Sequence, residues 1–219
     1  MTEAAAPRPS FRLIPSRFPP IGLFDTVSTI ADAAAVMELA GWTNDRLVLD
    51  RIARLAASDW VYGRPNSSVI MAAFLHAAPS GTRFNTGDLG AWYAAATIAT
   101  AAAEVGHHLR REAFARGLPG MARRYRTYNA TLLGTYLDLR GQRATQADLL
   151  APDSYLRSQI FGERVRATGG NGLIYDSVRH TGGINIVAYR PRHILDVVQT
   201  DHYEISTATN TNRIDIHKL

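Results

Sequence analysis

Residues 121–139, MARRYRTYNATLLGTYLDL, alternate along much of their length and are rich in Tyr, Thr and Leu, so they read as a long strand, broken at Gly134. A strand of that length needs neighbours. The sequence offers them on both sides: short strand patterns at Phe11–Ile14 and Ala91–Ala94 before it, and GLIYDSV and INIVAYRP after it, joined by RHTGG. Between the strands lie stretches with helical spacing at Thr29–Leu39, Asp45–Ser58, Ser67–Ala77, Thr97–Ala115 and Ser154–Ala167. Asn44 or Asp45, Asn66 or Ser67, and Asp153 stand where N-caps belong, and Gly117 with Pro119 closes the fourth helix. Helices and strands do not alternate as βαβ units would. The expected class is therefore α+β, with a central sheet that is mixed or largely antiparallel and a helical block packed on it.

The length, 219 residues, suits one domain. Without cysteine the chain has no thiol nucleophile, thiolate metal site or disulfide. The N-terminus is interrupted by proline and has no apolar h-region, and no run approaches the roughly 20 apolar residues of a membrane span. Neither a secretory signal nor a membrane partner is expected. The net charge is +5, yet the basic residues are dispersed and accompany no nucleic-acid motif, so direct nucleic-acid binding is not expected either. A basic chain can equally handle a small polyanion. There is no HExxH, Walker loop, GxSxG or GxGxxG, and His107–His108 has no further ligand at helical spacing, so no metal is inferred.

The residue that stands out is Glu104, a carboxylate within the alanine-rich stretch TIATAAAEVGHHL. An exposed helix face would carry more than one charge across three turns, and a solvent-facing glutamate would pair with His108 or a distant arginine. The alternative is a glutamate facing a cleft lined by small residues. Tyr93 can face the same cleft if the chain turns at Ala95–Thr97; otherwise it is a core tyrosine. Arg83, in TRFNTGD, offers planar donors suited to phosphate or carboxylate if the loop presents it. Ser177 and Asn185 flank VRHTGG and, with Arg179 and His180, would form a polar rim on a hairpin.

Taken in order, RLIPSRFPP, RFNTGDLGAWYAA, AAAEV and YDSVRHTGGINIVAY resemble the RES-domain family, the toxin components of bacterial toxin–antitoxin pairs. The likeness runs from about Phe11 to Pro191, and the combination is far more specific than any one motif. It implies a single RES domain over 1–219 with a fold like that of the ADP-ribosyltransferase toxins, and the 24–80 block becomes a helical insertion within it. It also implies NAD as substrate in a cleft, cleaved at the nicotinamide–ribose bond by phosphorolysis or hydrolysis, with no cofactor and with inorganic phosphate as the possible co-substrate. By motif match Glu104, Arg83 and Tyr93 would be catalytic, and Arg83, Tyr93, Ser177, Asn185 and Arg12 would bind NAD. The expected partner is a cognate antitoxin of Xre-like, DNA-binding type, in a homodimer or a toxin–antitoxin hetero-oligomer, in the cytoplasm. Transfer of ADP-ribose onto a macromolecule, and a catalytically silent interaction module of the same fold, are the competing readings.

Overall fold

The computed structural model describes residues 2–18, 22–43 and 49–219. Its frame is a mixed sheet of nine strands among the described residues. Across the sheet they run β1 (Thr2–Ala5), β5 (Thr135–Asp138), β6 (Gly172–Asp176), β7 (Ile184–Ala188), β3 (Trp92–Ala95), β2 (Ser10–Pro15), β4 (Gly120–Leu132), β8 (Ile194–Ala208) and β9 (Ile214–Lys218). Neighbours are antiparallel except β5 and β6, which are parallel. The helices are α1 (Ile30–Thr43), α2 (Leu49–Ala53), α3 (Ser67–Leu75), α4 (Ile98–Ala115) and α5 (Leu156–Ala167).

Period-two alternation sorts the strands' side chains into two cores. On β7, Ile186 and Ala188 join Phe74, Met71 and Leu75 of α3 in one apolar cluster. Val187 and Tyr189 face the other way, into a cluster with Phe84 and Tyr175 against which Phe161 and Val165 of α5 pack. Helix α4 covers that second side further along, where Ala101 and Ala102 meet Leu13, Tyr125 and Ile205. Helices thus lie on both faces of the sheet. Strands β2 and β3 share a single pair, Phe11 opposite Ala95, so the sheet is nearly split between them.

Helix α4 is closed at both ends. Thr97, extended at φ −141 and ψ 155, accepts the Thr100 N–H through its side chain. At the other end Gly117, at φ +66, lets the Leu118 N–H reach the Ala113 carbonyl at 2.9 Å and its own N–H reach Phe114, a Schellman turn. At Gly106 the helix is closely packed by β9, for a Cβ there would stand 2.7 Å from the Ile214 side chain.

Several boundaries differ from expectation, mostly through contacts with distant residues. The stretch Asp45–Ser58 is not one helix: α2 ends at Ala53, and a 3-10 turn at Ala57–Asp59 carries the buried Asp59 to Arg190 and Arg192, each at 3.2 Å. Asn44 and Asp45, the expected cap there, lie outside the described residues. Asn66 holds the N-cap position of α3, but its amide donates to Val197 instead. The cap comes from Asp25, whose carboxylate accepts the N–H groups of Asn66 and Ser68 at 2.9 and 2.8 Å, an anion at the positive end of a helix. Asp153 does not cap α5: Tyr155 stands at the N-cap position without a side-chain cap, and the preceding carbonyls of Ala151 and Pro152 accept from Arg83 and Arg179.

Candidate functional site

Glu104 lies in the second turn of α4, over the end of the β6–β7 hairpin. Its Oε1 accepts two hydrogen bonds, from Ser177 Oγ at 2.7 Å and from Asn185 Nδ2 at 2.6 Å. Ser177 and Asn185 are 4% and 3% exposed, so both donors are fixed in place. A serine hydroxyl has one hydrogen and two lone pairs. The lone pairs of Ser177 take the N–H groups of Arg179 and His180 at 3.1 and 3.0 Å, which leaves the hydrogen for Glu104. Among the described residues Oε2 of Glu104 has no hydrogen bond. The carboxylate is therefore gripped by one oxygen and offers the other. His108 is not its partner.

Tyr93 and Arg83 form a neighbouring network. The Tyr93 hydroxyl accepts the Phe84 N–H at 2.9 Å and donates to Asn85 Oδ1 at 3.0 Å, and Asn85 also receives the Thr82 hydroxyl. Burial pushes the Tyr93 phenol up to about 12, with its hydrogen bonds and nearby arginines opposing. Arg83, expected as an arginine presented from a loop, is instead 6% exposed, donates to the Ala151 carbonyl at 2.7 Å and lies 4.7 Å over the Tyr155 ring. Arg12 stands apart, at the seam between β2 and β3. It donates to the Tyr93 carbonyl at 2.9 Å and lies 4.8 Å over Trp92, and its buried Nε has no partner among the described residues. Burial lowers its guanidinium to about 10, Tyr93 opposing.

The two networks meet at Tyr175, which pairs with Asn185 across β6 and β7. It is 4% exposed and packs edge-on against Phe84 with centroids 4.8 Å apart. Burial first, then the charges of Tyr93 and Glu104, raise its phenol well above the ordinary value, while Arg83 opposes them. The rim is positive. His108, an exposed residue one turn beyond Glu104, is pushed down by partial desolvation and by Arg111, Arg179 and Arg83, with Glu104 opposing. Burial and Arg179, His108, Arg110 and Arg111 bring His107 down to about 4.

Sequence reasoning missed Tyr175, Tyr155 and Thr100. Tyr175 was visible as the first letter of YDSVRHTGG; Thr100 and Tyr155 carry no signal of their own, because they matter through contacts 80 and 72 residues away, with His180 and Arg83. A depression of about 180 Å³ runs beside α4 between Leu13, Leu109 and the Glu112–Arg123 ion pair, adjoining the Glu104 cluster through His108 without containing it. Among the described residues no cluster of acidic residues and histidines could hold a metal ion, and no helix is long and apolar enough to cross a membrane.

A family model described as RES domain matches residues 48–208. The matched span includes Arg83, Tyr93, Glu104, Ser177 and Asn185; Arg12 lies before it. No curated protein matches the chain. Among solved structures, one similar chain comes from the crystal structure of the M. tuberculosis MbcT–MbcA toxin–antitoxin complex. It is 21% identical, the match covers 56% of this chain and 73% of that one, and the TM-score is 0.40.

Proposed function

The chain belongs to the RES-domain family, and on that premise we propose that it is an NAD-cleaving toxin of a toxin–antitoxin pair, acting on the nicotinamide–ribose bond. The observation that carries this reading is Glu104: one carboxylate oxygen saturated by Ser177 and Asn185, the other open, within a positive rim.

The chemistry follows from those positions. When the C1–N bond of the nicotinamide ribose breaks, its electron pair leaves with nicotinamide, which becomes neutral, so the leaving group needs no general acid. The ribose takes up oxocarbenium-like positive charge, and a fixed carboxylate stabilises charge where it develops. Oε2 of Glu104 accepts a hydrogen bond from a ribose hydroxyl and lies near that charge. Ser177 and Asn185 hold the carboxylate in register, so that little reorganisation accompanies the reaction. Tyr93 walls the nicotinamide, and Arg83, whose Nη1 is held by the Ala151 carbonyl, has only its other nitrogens for a pyrophosphate oxygen or an incoming phosphate. Arg12, stacked over Trp92 on the other side of the sheet with its Nε buried, takes no part in this step, contrary to expectation. Water or phosphate then completes the bond to C1, giving ADP-ribose or its 1″-phosphate.

In this reading residues 1–219 form one RES domain with an ADP-ribosyltransferase-like core, and 24–80 is an insertion within it. The protein works in the cytoplasm, restrained by an Xre-like, DNA-binding antitoxin that closes the cleft. The test is NAD consumption by the purified chain with and without phosphate, products separated by chromatography, Glu104→Gln alongside. Nicotinamide release that the variant loses supports the reading, and the second product separates phosphorolysis from hydrolysis. Label moving from NAD onto protein or nucleic acid would favour macromolecular transfer, and a folded wild-type chain that leaves NAD intact would favour the silent module.

A further inference from the structure

The bond between Ser177 and Glu104 depends on the shape of the loop at 177–183, and one side chain ties that loop to α4. His180 Nδ1 lies 2.9 Å from Thr100 Oγ1, and Thr100 Oγ1 lies 2.9 Å from Thr97 Oγ1, the hydroxyl that caps the helix. Thr100 is 0% exposed and one helical turn before Glu104. His180 is also held by its backbone: its N–H donates to Ser177 Oγ, and its carbonyl accepts the Gly183 N–H at 2.9 Å. The loop closes on itself where the Ser177 N–H meets the Gly183 carbonyl at 2.8 Å.

We propose that His180 is a positioning residue: through Nδ1 it fastens the 177–183 loop to the first turn of α4, and so sets the Ser177 hydroxyl on Glu104. Three features support this. The lone pairs of Ser177 are filled by N–H groups of this loop, including that of His180 itself, so the direction of its hydrogen follows the loop. The packing at the fastening is tight, for a Cβ at Gly183 would stand 2.7 Å from Thr100 Oγ1 and 2.9 Å from His180 Nδ1. Finally, the contact needs no particular tautomer, because a threonine hydroxyl both donates and accepts. Neither Thr100 nor His180 touches Glu104; they act through the geometry of the residue that does.

This inference rests on the NAD-cleaving reading for its effect on turnover, but not for its effect on the loop. The experiment is a double-mutant cycle of His180→Ala and Thr100→Val, with His180→Asn added because its amide reaches near the Nδ1 position. Each variant is read by kcat, by KM for NAD, and by hydrogen exchange at the Arg179 and His180 amides. His180→Ala is expected to lower kcat about tenfold or more with KM changed less than about threefold, and to speed exchange at the loop amides about tenfold. Asn should recover most of the loss, and the double variant should be no worse than the poorer single one. Unchanged kcat and exchange in His180→Ala, or losses that multiply in the double variant, would overturn the proposal. A wild-type chain that leaves NAD intact, while His180→Ala still frees the loop amides, would sink the NAD reading and leave the fastening standing.

Discussion

The two faces of the sheet are built on different terms. Toward α3 the core is mostly apolar: Phe74, Met71, Leu75, Trp92 and Ile186 are all fully buried, and of the polar atoms among them Tyr128 Oη donates to Gln199 while Tyr136 Oη and Trp92 Nε1 have no partner among the described residues. Toward α4 and α5 the buried side chains include Arg83, Asn85, Thr100, Ser177 and Asn185, each with a hydrogen bond. The first face stabilises by removing apolar surface from water, which is non-directional and indifferent to orientation. The second holds polar groups at fixed angles in a poorly screened interior, where each bond is strong and each orphan costly. Damage to the first should register as lost stability, and damage to the second as lost turnover, accompanied by lost stability where a buried hydrogen bond is broken.

The largest expected effect tests the first half of that contrast. Phe74 is 0% exposed in the α3-side core, and Phe74→Ala should lower unfolding free energy by about 3–5 kcal/mol in urea titration. The molecules that remain folded should keep wild-type NAD turnover. If kcat per folded molecule also fell a hundredfold, the two faces would be coupled and the distinction would fail. Next in size is Glu104→Gln, which keeps volume and an acceptor for Ser177 and Asn185 while removing the charge. Turnover should fall by roughly 10²–10³, about 3–4 kcal/mol of barrier, with the melting temperature nearly unmoved.

A smaller effect comes from Tyr93→Phe, which leaves the Phe84 N–H and Asn85 Oδ1 without their phenol partner. It should cost about 1–2 kcal/mol at neutral pH. It should also change the alkaline limb. The phenol is raised to about 12 in the folded chain, above its ordinary value of about 10, so the unfolded chain ionises first. The stability that goes with it is fully present below pH 10 and is lost as pH rises through 12. Urea titrations at pH 8, 10 and 11 should show a shallower decline in the variant than in wild type; equal slopes would mean that the phenol ionises as readily folded as unfolded.

What the sequence made legible follows the same division. Segments whose pattern is local were readable: the long alternation that becomes β4 and β5, the start of α4 near Thr97, the Gly117 stop, and the hairpin that places Ser177 and Asn185. What was not readable is set at a distance. Asp25 caps a helix that begins 42 residues later, Arg83 is turned inward by a carbonyl at Ala151, and β8 gives little strand signal because its residues face mixed surroundings. Glu104 could be singled out because a charge in an alanine-rich helix breaks the pattern. Its grip by one oxygen could not, since that depends on a loop held by Thr100 and His180, residues with nothing unusual about their neighbours in sequence.

The smallest expected effect has the opposite sign and sharpens the comparison most. Tyr136 is 0% exposed in the α3-side core, its hydroxyl has no partner among the described residues, and burial raises its phenol above the ordinary range. Burying an unpaired hydroxyl costs free energy that the apolar ring alone would not. Tyr136→Phe should therefore leave stability unchanged or raise it by up to about 1 kcal/mol, with turnover unaltered. The same substitution, tyrosine to phenylalanine, would then destabilise on one face of the sheet and not on the other. Urea titration of the two variants side by side gives the answer. If Tyr136→Phe instead cost as much as Tyr93→Phe, its hydroxyl would be satisfied in solution, and the contrast between an orphan phenol on one face and a bonded one on the other would fail.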